Sequence, residues 1–346
     1  MPPNQDQNEL TFPFYFPLGV LLLDESDDTA VETIEALRVR MPERRIERVR
    51  SFDEAISYVR HHPLRFTTLP SDPEFNVLDE IGLVDESRIP DIEQLAENAE
   101  NVGMIIVRKE IDEPGCRDFL RKLLPHRISK VLLTQSVDDA AALKAFNSGL
   151  IERYVNADDG NHVAELVGYL RILERNFFDT HNSQFTAIVG ESSLPFLTDV
   201  VTLHELNGLC RDLDARIVAP SVMPPGLYVV SKADARYFIL VADEETVQSR
   251  MEIAMGEGVD RTTIDVLKGK KHIYLPDLPK NRSLESMALE LGDKMCKMQP
   301  LCAGVYFSKI SLIQGNHATE SSAGINVSSA RRAERRGDIR DRTSIA

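Results

Sequence analysis

Lys130-Val-Leu-Leu-Thr134, then Asp138 through Asn147, then Ser148-Gly149-Leu150-Ile-Glu-Arg-Tyr-Val155 is the stretch whose reading decides the fold. Lys130 to Thr134 is a short β-branched and aliphatic run, the composition of a buried parallel strand. Helical spacing follows from Asp138 to Asn147, with Ala141, Leu143, Ala145 and Phe146 as its apolar and small positions. Asp138 suits the N-cap, and Gly149 stands where helices end. Leu150 to Val155 reads as the next strand. A strand ending in Thr, a helix, a Gly and a strand predict the second half of a doubly wound α/β domain.

The same grammar runs toward the N-terminus. Val20 to Leu23 is an apolar strand, and Asp24-Glu25-Ser26-Asp27-Asp28 lies at its carboxyl end, where open parallel sheets bind ligands. A helix over Thr29 to Arg40 presents Val31, Ile34 and Leu37. Arg45 to Val49 is the second strand. Ser51 caps a helix reaching Val59, with Glu54 expected to complete a capping box. Met104 to Val107 is the third strand and Arg117 to Leu124 the helix after it. The expected architecture is an α/β, doubly wound, parallel five-stranded sheet. Residues 63–98 form a proline- and acid-rich insertion, with helical pieces at Pro73 to Ile81 and Asp91 to Ala99. Insertions of this length are usually functional or disordered. Residues 1–11 read as a disordered lead. Phe12-Pro-Phe-Tyr-Phe-Pro17 is an aromatic clasp whose prolines bar it from a sheet interior; it is expected to pack across the edge or base of this first domain, residues 12–178.

His162 to Phe178 is an amphipathic helix leading into the second half. Its stripe, Val163, Leu166, Val167, Leu170, Leu173 and Phe177, suits burial in the sheet or contact with a dimer partner. Residues 183–314 read as a smaller α+β domain. A helix spans Asp199 to Asp212, and strands follow at Arg216 to Ala219, Leu227 to Ser231 and Tyr237 to Ala242. Pro224-Pro-Gly226 and Lys232-Ala-Asp234 mark the turns. Glu244 to Glu257, Thr262 to Lys268 and Leu284 to Met298 read as helices, and Val305 to Ile313 as a closing strand. Residues 315–346, with Arg331, Arg332, Arg335, Arg336, Arg340 and Arg342, read as a disordered basic tail.

Composition excludes several classes. The 346 residues carry a formal net charge of −15, which opposes non-specific binding to nucleic acid or an anionic membrane. No apolar run approaches the ~20 residues of a membrane span. The polar start has no basic n-region, so the expected compartment is the cytoplasm. Cys116, Cys210, Cys296 and Cys302 lack metal-ligand spacing. His61-His62 follow a helix end, and His204 and Glu205 have no third ligand nearby. Gly256-Glu-Gly258 ends a helix and is no phosphate loop. Lys268-Gly-Lys-Lys271 is read as a solvated basic turn.

The succession of strands and helices, the Thr134 position and the acidic pair after the first strand resemble a phosphorelay receiver domain, of flavodoxin-like fold. The clasp, the long insertion and Ala145-Phe-Asn-Ser-Gly-Leu-Ile are similar to the Legionella-type quorum-sensing response regulators. So are Ser193-Leu-Pro-Phe-Leu-Thr-Asp199, Leu206-Asn-Gly-Leu-Cys210, Pro225-Gly-Leu-Tyr-Val-Val230 and Phe238-Ile-Leu-Val241. In that family a receiver is joined through an extended dimerisation helix to an output domain that is not a helix-turn-helix. The resemblance implies an Mg²⁺-binding acidic pair at Asp24 and Glu25, a nucleophilic Asp after the third strand, a hydroxyl at Thr134 and a Lys after the fifth strand. Here the nucleophile slot holds Arg108 and the Lys slot holds Ala157. Neither side chain can do the missing work.

The sequence therefore predicts a signal-transduction protein with a degenerate receiver, acting through other signalling proteins or dimer rearrangement rather than by Asp phosphorylation. No catalytic residue and no cofactor beyond weakly held Mg²⁺ is expected. Arg108 is expected to project toward Asp24 and Glu25 as a counter-charge; the other reading places it in solvent as a surface ion pair. Two alternatives stay open: a displaced acceptor at Asp112, and an output domain that turns over a nucleotide or phosphoester. If the pocket is otherwise intact, Arg108→Asp with Ala157→Lys restores phosphoryl labelling. A DNA-binding output lacks helix-turn-helix spacing and a basic domain.

Overall fold

The computed structural model describes residues 13–66, 89–135, 139–189, 193–222, 224–269, 272–275 and 295–312. All lie within the compact unit Met1–Ile313; a second unit, Gln314–Ala346, lies outside the described residues. The expected lead, the helix at 73–81, the Asp138 cap, residues 284–294, Lys270, Lys271 and the basic tail also lie outside them.

The first half runs β1 (Gly19–Leu23), α1 (Asp27–Arg40), β2 (Ile46–Val49), α2 (Phe52–His61), α3 (Ile92–Ala99), β3 (Val102–Val107), α4 (Cys116–Leu123), β4 (Ser129–Thr134), α5 (Asp139–Asn147), β5 (Arg153–Asn156) and α6 (His162–Val189). The strands form one parallel sheet in the order β2-β1-β3-β4-β5. This is the flavodoxin-like order, with its switch point between β1 and β3. Every residue of β1 and β3 is buried, because helices cover both faces and no polar alternation is needed. Leu21, Leu23, Ile105 and Val107 pack with α2 and α4 on one face. Val20, Leu22, Met104 and Ile106 pack with α1 and α6 on the other.

The second half runs α7 (Val200–Asp212), β6 (Ala215–Ser221), β7 (Gly226–Ser231), β8 (Arg236–Asp243), α8 (Glu244–Gly256), α9 (Arg261–Lys268), β9 (His272–Tyr274), β10 (Met295–Lys297), β11 (Gln299–Cys302) and β12 (Val305–Leu312). An antiparallel sheet has the order β11-β12-β8-β7-β6, and β9 and β10 make a separate pair. The cap of each helix here is an Asp with a Thr three residues on. Asp199, Asp243 and Asp260 accept from the backbone N–H of Thr202, Thr246 and Thr263. At Gly226, a Cβ would stand 2.3 Å from the Ile239 carbonyl oxygen. Only glycine lets β7 and β8 approach there.

Several expectations are corrected. The helix expected to stop at Phe178 continues to Val189, so the boundary placed at 178–183 falls inside it. The polar residues His181 and Asn182 hid the continuing stripe; both are buried, together with Phe185 and Val189. The stripe, expected either to be buried in the sheet or to meet a dimer partner, is largely buried within the chain. Leu166 and Leu170 are 0% exposed and Leu173 5%, while Val163 and Phe177 are half-buried. On α1 the buried face is Ala30, Thr33, Ile34 and Leu37, and Val31 points outward. On α5 Ala141, Ala142 and Ala145 are buried and Leu143 and Phe146 are exposed. Glu54 does not close a capping box on Ser51: its carboxylate accepts from Arg50 N at 2.7 Å. Residues 295–297, expected in a helix, form β10, because they pair with β9. Leu150 and Ile151 are buried ahead of β5 but are not part of it.

The clasp packs on the first domain, where Phe16 meets Phe66 and Phe178, and it also lies along the second sheet. Tyr15 exchanges backbone hydrogen bonds with Val218 of β6, at 3.0 and 2.8 Å. This closes an otherwise open sheet edge. Phe14 N–H donates to Asn182 Oδ1 at 3.0 Å and its carbonyl accepts from Asn182 Nδ2 at 2.9 Å.

Candidate functional site at the carboxyl edge of the parallel sheet

β1, β3, β4 and β5 end side by side, and the residues that follow them form the site. Asp24 follows β1 and is 3% exposed. Its Oδ1 accepts from Ser26 N–H and its Oδ2 from the Thr29 hydroxyl, each at 2.9 Å. Arg108 follows β3, anchored by its own N–H on the Leu23 carbonyl at 2.9 Å. Its Nε lies 3.8 Å from Asp24 Oδ2. With side-chain exposures of 16% and 4%, the pair is only slightly solvent-screened, unlike an open surface ion pair. Arg108 therefore takes the inward position of the two considered.

Glu25 is exposed and faces another cation. Lys109 Nζ lies 2.8 Å from Glu25 and 2.7 Å from Glu113. Burial pulls the Lys109 ammonium down, but the hydrogen bonds to Glu113 and Glu25 outweigh it and hold its pKa above the usual lysine value. Asp112 lies in the turn between β3 and α4, exposed, and pairs with Arg117 at 2.5 Å. Ala157 follows β5 and its N–H donates to the Thr134 carbonyl at 2.8 Å.

Thr134 ends β4 and is 3% exposed. Its hydroxyl donates to Glu110 Oε2 at 2.5 Å, and the Gln135 N–H donates to Glu110 Oε1 at 3.0 Å. Sequence reasoning passed over Glu110 and Lys109 as functional residues. The signal was available only as a position: Glu110 is the first carboxylate after β3, two residues past Arg108. That it turns toward β4 depends on the loop, which no periodicity encodes.

The residues present do not fit a divalent cation well. Mg²⁺ prefers hard oxygen ligands in octahedral array. Asp24 is already held by two donors and faces a guanidinium. Glu25 faces an ammonium. Where a third carboxylate would serve, the chain has Arg108. Among the described residues, no group of three or more His, Cys, Asp or Glu could hold a metal ion.

In structural comparison the chain is similar to the response regulator LqsR of Legionella pneumophila. Identity is 16%, the match covers 90% of this chain and 91% of that one, and the TM-score is 0.59. The two share one fold. Similarity confined to about half of this chain extends to a second two-component response regulator from Legionella pneumophila (15% identity, 46% and 98% covered, TM-score 0.30). It also extends to the receiver domain of an HD domain-containing protein from Pseudomonas fluorescens (15%, 48% and 93%, 0.32). No protein-family model and no curated protein matches the chain.

The fold puts Asp24, Arg108 and Thr134 on one edge and leaves Asp112 on the surface. Elsewhere, His204 and Glu205 are exposed on α7, Gly258 ends α8 with φ +74°, and Lys268 pairs with Asp265 at 2.9 Å. A cavity of about 90 Å³ is lined by Tyr15, Glu43, Arg211, Asp214, Arg216 and Lys232, charges of both signs. No helix among the described residues is long and apolar enough to cross a membrane.

Proposed function

We propose that this chain is a signal-transduction protein of the response-regulator kind whose receiver half takes no phosphoryl group on an aspartate. It acts through contacts with other signalling proteins, or rearrangement of a homodimer, rather than by catalysis. One observation carries the reading: Arg108 stands after β3 with its Nε 3.8 Å from Asp24. Accepting a phosphoryl group there requires a carboxylate nucleophile beside a bound cation. A guanidinium stays protonated and offers no nucleophilic oxygen. It supplies to Asp24 the positive charge that a metal ion would supply. Ala157 offers no cation to a phosphoryl oxygen either.

The test is intact-mass analysis after incubation with acetyl phosphate and Mg²⁺. The expected result is no phosphoryl mass on the wild-type chain. Stable phosphoryl mass that disappears in Asp112→Asn would overturn the reading and make Asp112 the acceptor. Phosphoryl mass that survives in Asp112→Asn would also overturn it, by placing the acceptor elsewhere.

A further inference from the structure

Two donors from consecutive residues converge at the end of β4. The Thr134 hydroxyl and the Gln135 N–H meet the two oxygens of one carboxylate, at 2.5 and 3.0 Å. The hydroxyl belongs to a residue 3% exposed, and hydrogen bonds to an ionised acceptor are stronger than neutral ones. A hydroxyl and an amide spaced to take both oxygens of a carboxylate are also spaced to take two oxygens of a phosphoryl group. Their carboxylate comes from Glu110, on the loop after the neighbouring strand β3, 24 residues away in sequence from Thr134. The chain thus supplies its own anion to a site built for one.

We propose that Thr134 and Gln135 form an oxyanion seat and that Glu110 is its resident anion, latching the β3–α4 loop to the end of β4. The inference deepens the reading of a receiver half that takes no phosphoryl group, and it explains how the end of β4 is held without one. A tethered carboxylate competes at high effective concentration, so free anions at modest concentration do not displace it. Removing it opens the seat to a carboxylate or phosphate from solution.

The test uses the full chain. Thermal unfolding is followed in sodium acetate, inorganic phosphate and sodium chloride at matched ionic strength. The wild-type Tm should be the same in all three. Glu110→Ala should unfold about 3 °C lower in chloride. It should recover saturably with acetate or phosphate, and Glu110→Ala with Thr134→Val should not recover. Stronger rescue by acetate assigns the seat to carboxylates, and stronger rescue by phosphate assigns it to phosphoryl groups; either supports the proposal. No anion-specific recovery, or recovery that survives Thr134→Val, overturns it. Should Glu110→Ala fail to fold, Glu110→Gln keeps the shape without the charge. Its Gln135 amide should exchange about tenfold faster than wild type, and unchanged exchange overturns the proposal. The acetyl-phosphate experiment reads a covalent bond and this one reads an open seat. Labelled wild-type protein with intact rescue would therefore sink the earlier reading and leave this one standing.

Discussion

His181 is buried on α6 between aromatic rings, with Phe177 and Phe66 centroids at 4.2 and 5.5 Å. Its Nδ1 lies 2.7 Å from the Phe177 carbonyl, so in the neutral ring Nδ1 carries the proton and donates. Burial, with Arg127 nearby, holds its pKa below the usual histidine value despite that hydrogen bond. The sign follows directly. Below about pH 6.5, the unfolded chain takes up a proton at this position that the folded chain resists. Stability is thus complete above that pH and declines as pH falls toward the lowered folded value. Urea midpoints between about pH 5 and pH 7.5 should fall more steeply for wild type than for His181→Gln. Parallel slopes would refute this.

At the scale of the element, α6 is held by charge as well as by its apolar stripe. Arg44 Nη1 and Nη2 both pair with the Glu174 carboxylate, and Leu18 N–H donates to Glu174 Oε1 at 2.9 Å. The side chains of Arg44 and Glu174 are 1% and 6% exposed. Burial and the Glu174 charge push the nearby Tyr15 phenol up. Removing one partner of such a pair leaves a buried charge uncompensated and costs about 3–5 kcal/mol. Glu174→Ala should therefore lose roughly that much in chemical denaturation, whereas Arg44→Met with Glu174→Leu should lose far less. A double variant as damaged as the single one would show that packing, not charge, sets the cost. The sequence marked Leu166, Leu170 and Leu173 as a stripe. Nothing in periodicity told that Glu174 and Asn182, polar on the same helix, would turn inward to the clasp.

Across the whole molecule, the parallel and antiparallel sheets share one core. Val20 and Leu22 of β1, Phe14 and Phe16 of the clasp, Phe178 and Phe185 of α6, and Val218 and Val230 of the second sheet belong to the same cluster. α3 lies against β6 and β7, and Glu93 pairs with Arg236 at 2.5 Å. α3 thus supports the joint between the sheets. Separate melting would expose this shared apolar surface to water. Calorimetry should show one cooperative transition, and a chain ending at Phe178 should fail to fold stably. Two resolved transitions, or a stable 1–178 fragment, would overturn the view of a shared core.

By itself the sequence determined the parallel sheet, the strand-end positions of Asp24, Arg108 and Thr134, and the antiparallel second half. Each follows from local signals: apolar runs of strand length, Asp and Gly at helix ends, and the residue that ends a strand. Tertiary structure alone decided where polar side chains turned once the apolar surfaces had closed. Glu110 reaches β4, Glu174 and Asn182 face inward, and the clasp covers the β6 edge. The physical reason is that a buried donor or charge must find a partner. That partner comes from wherever folding brings the chain close, 24 residues away for Thr134 and 168 for Phe14.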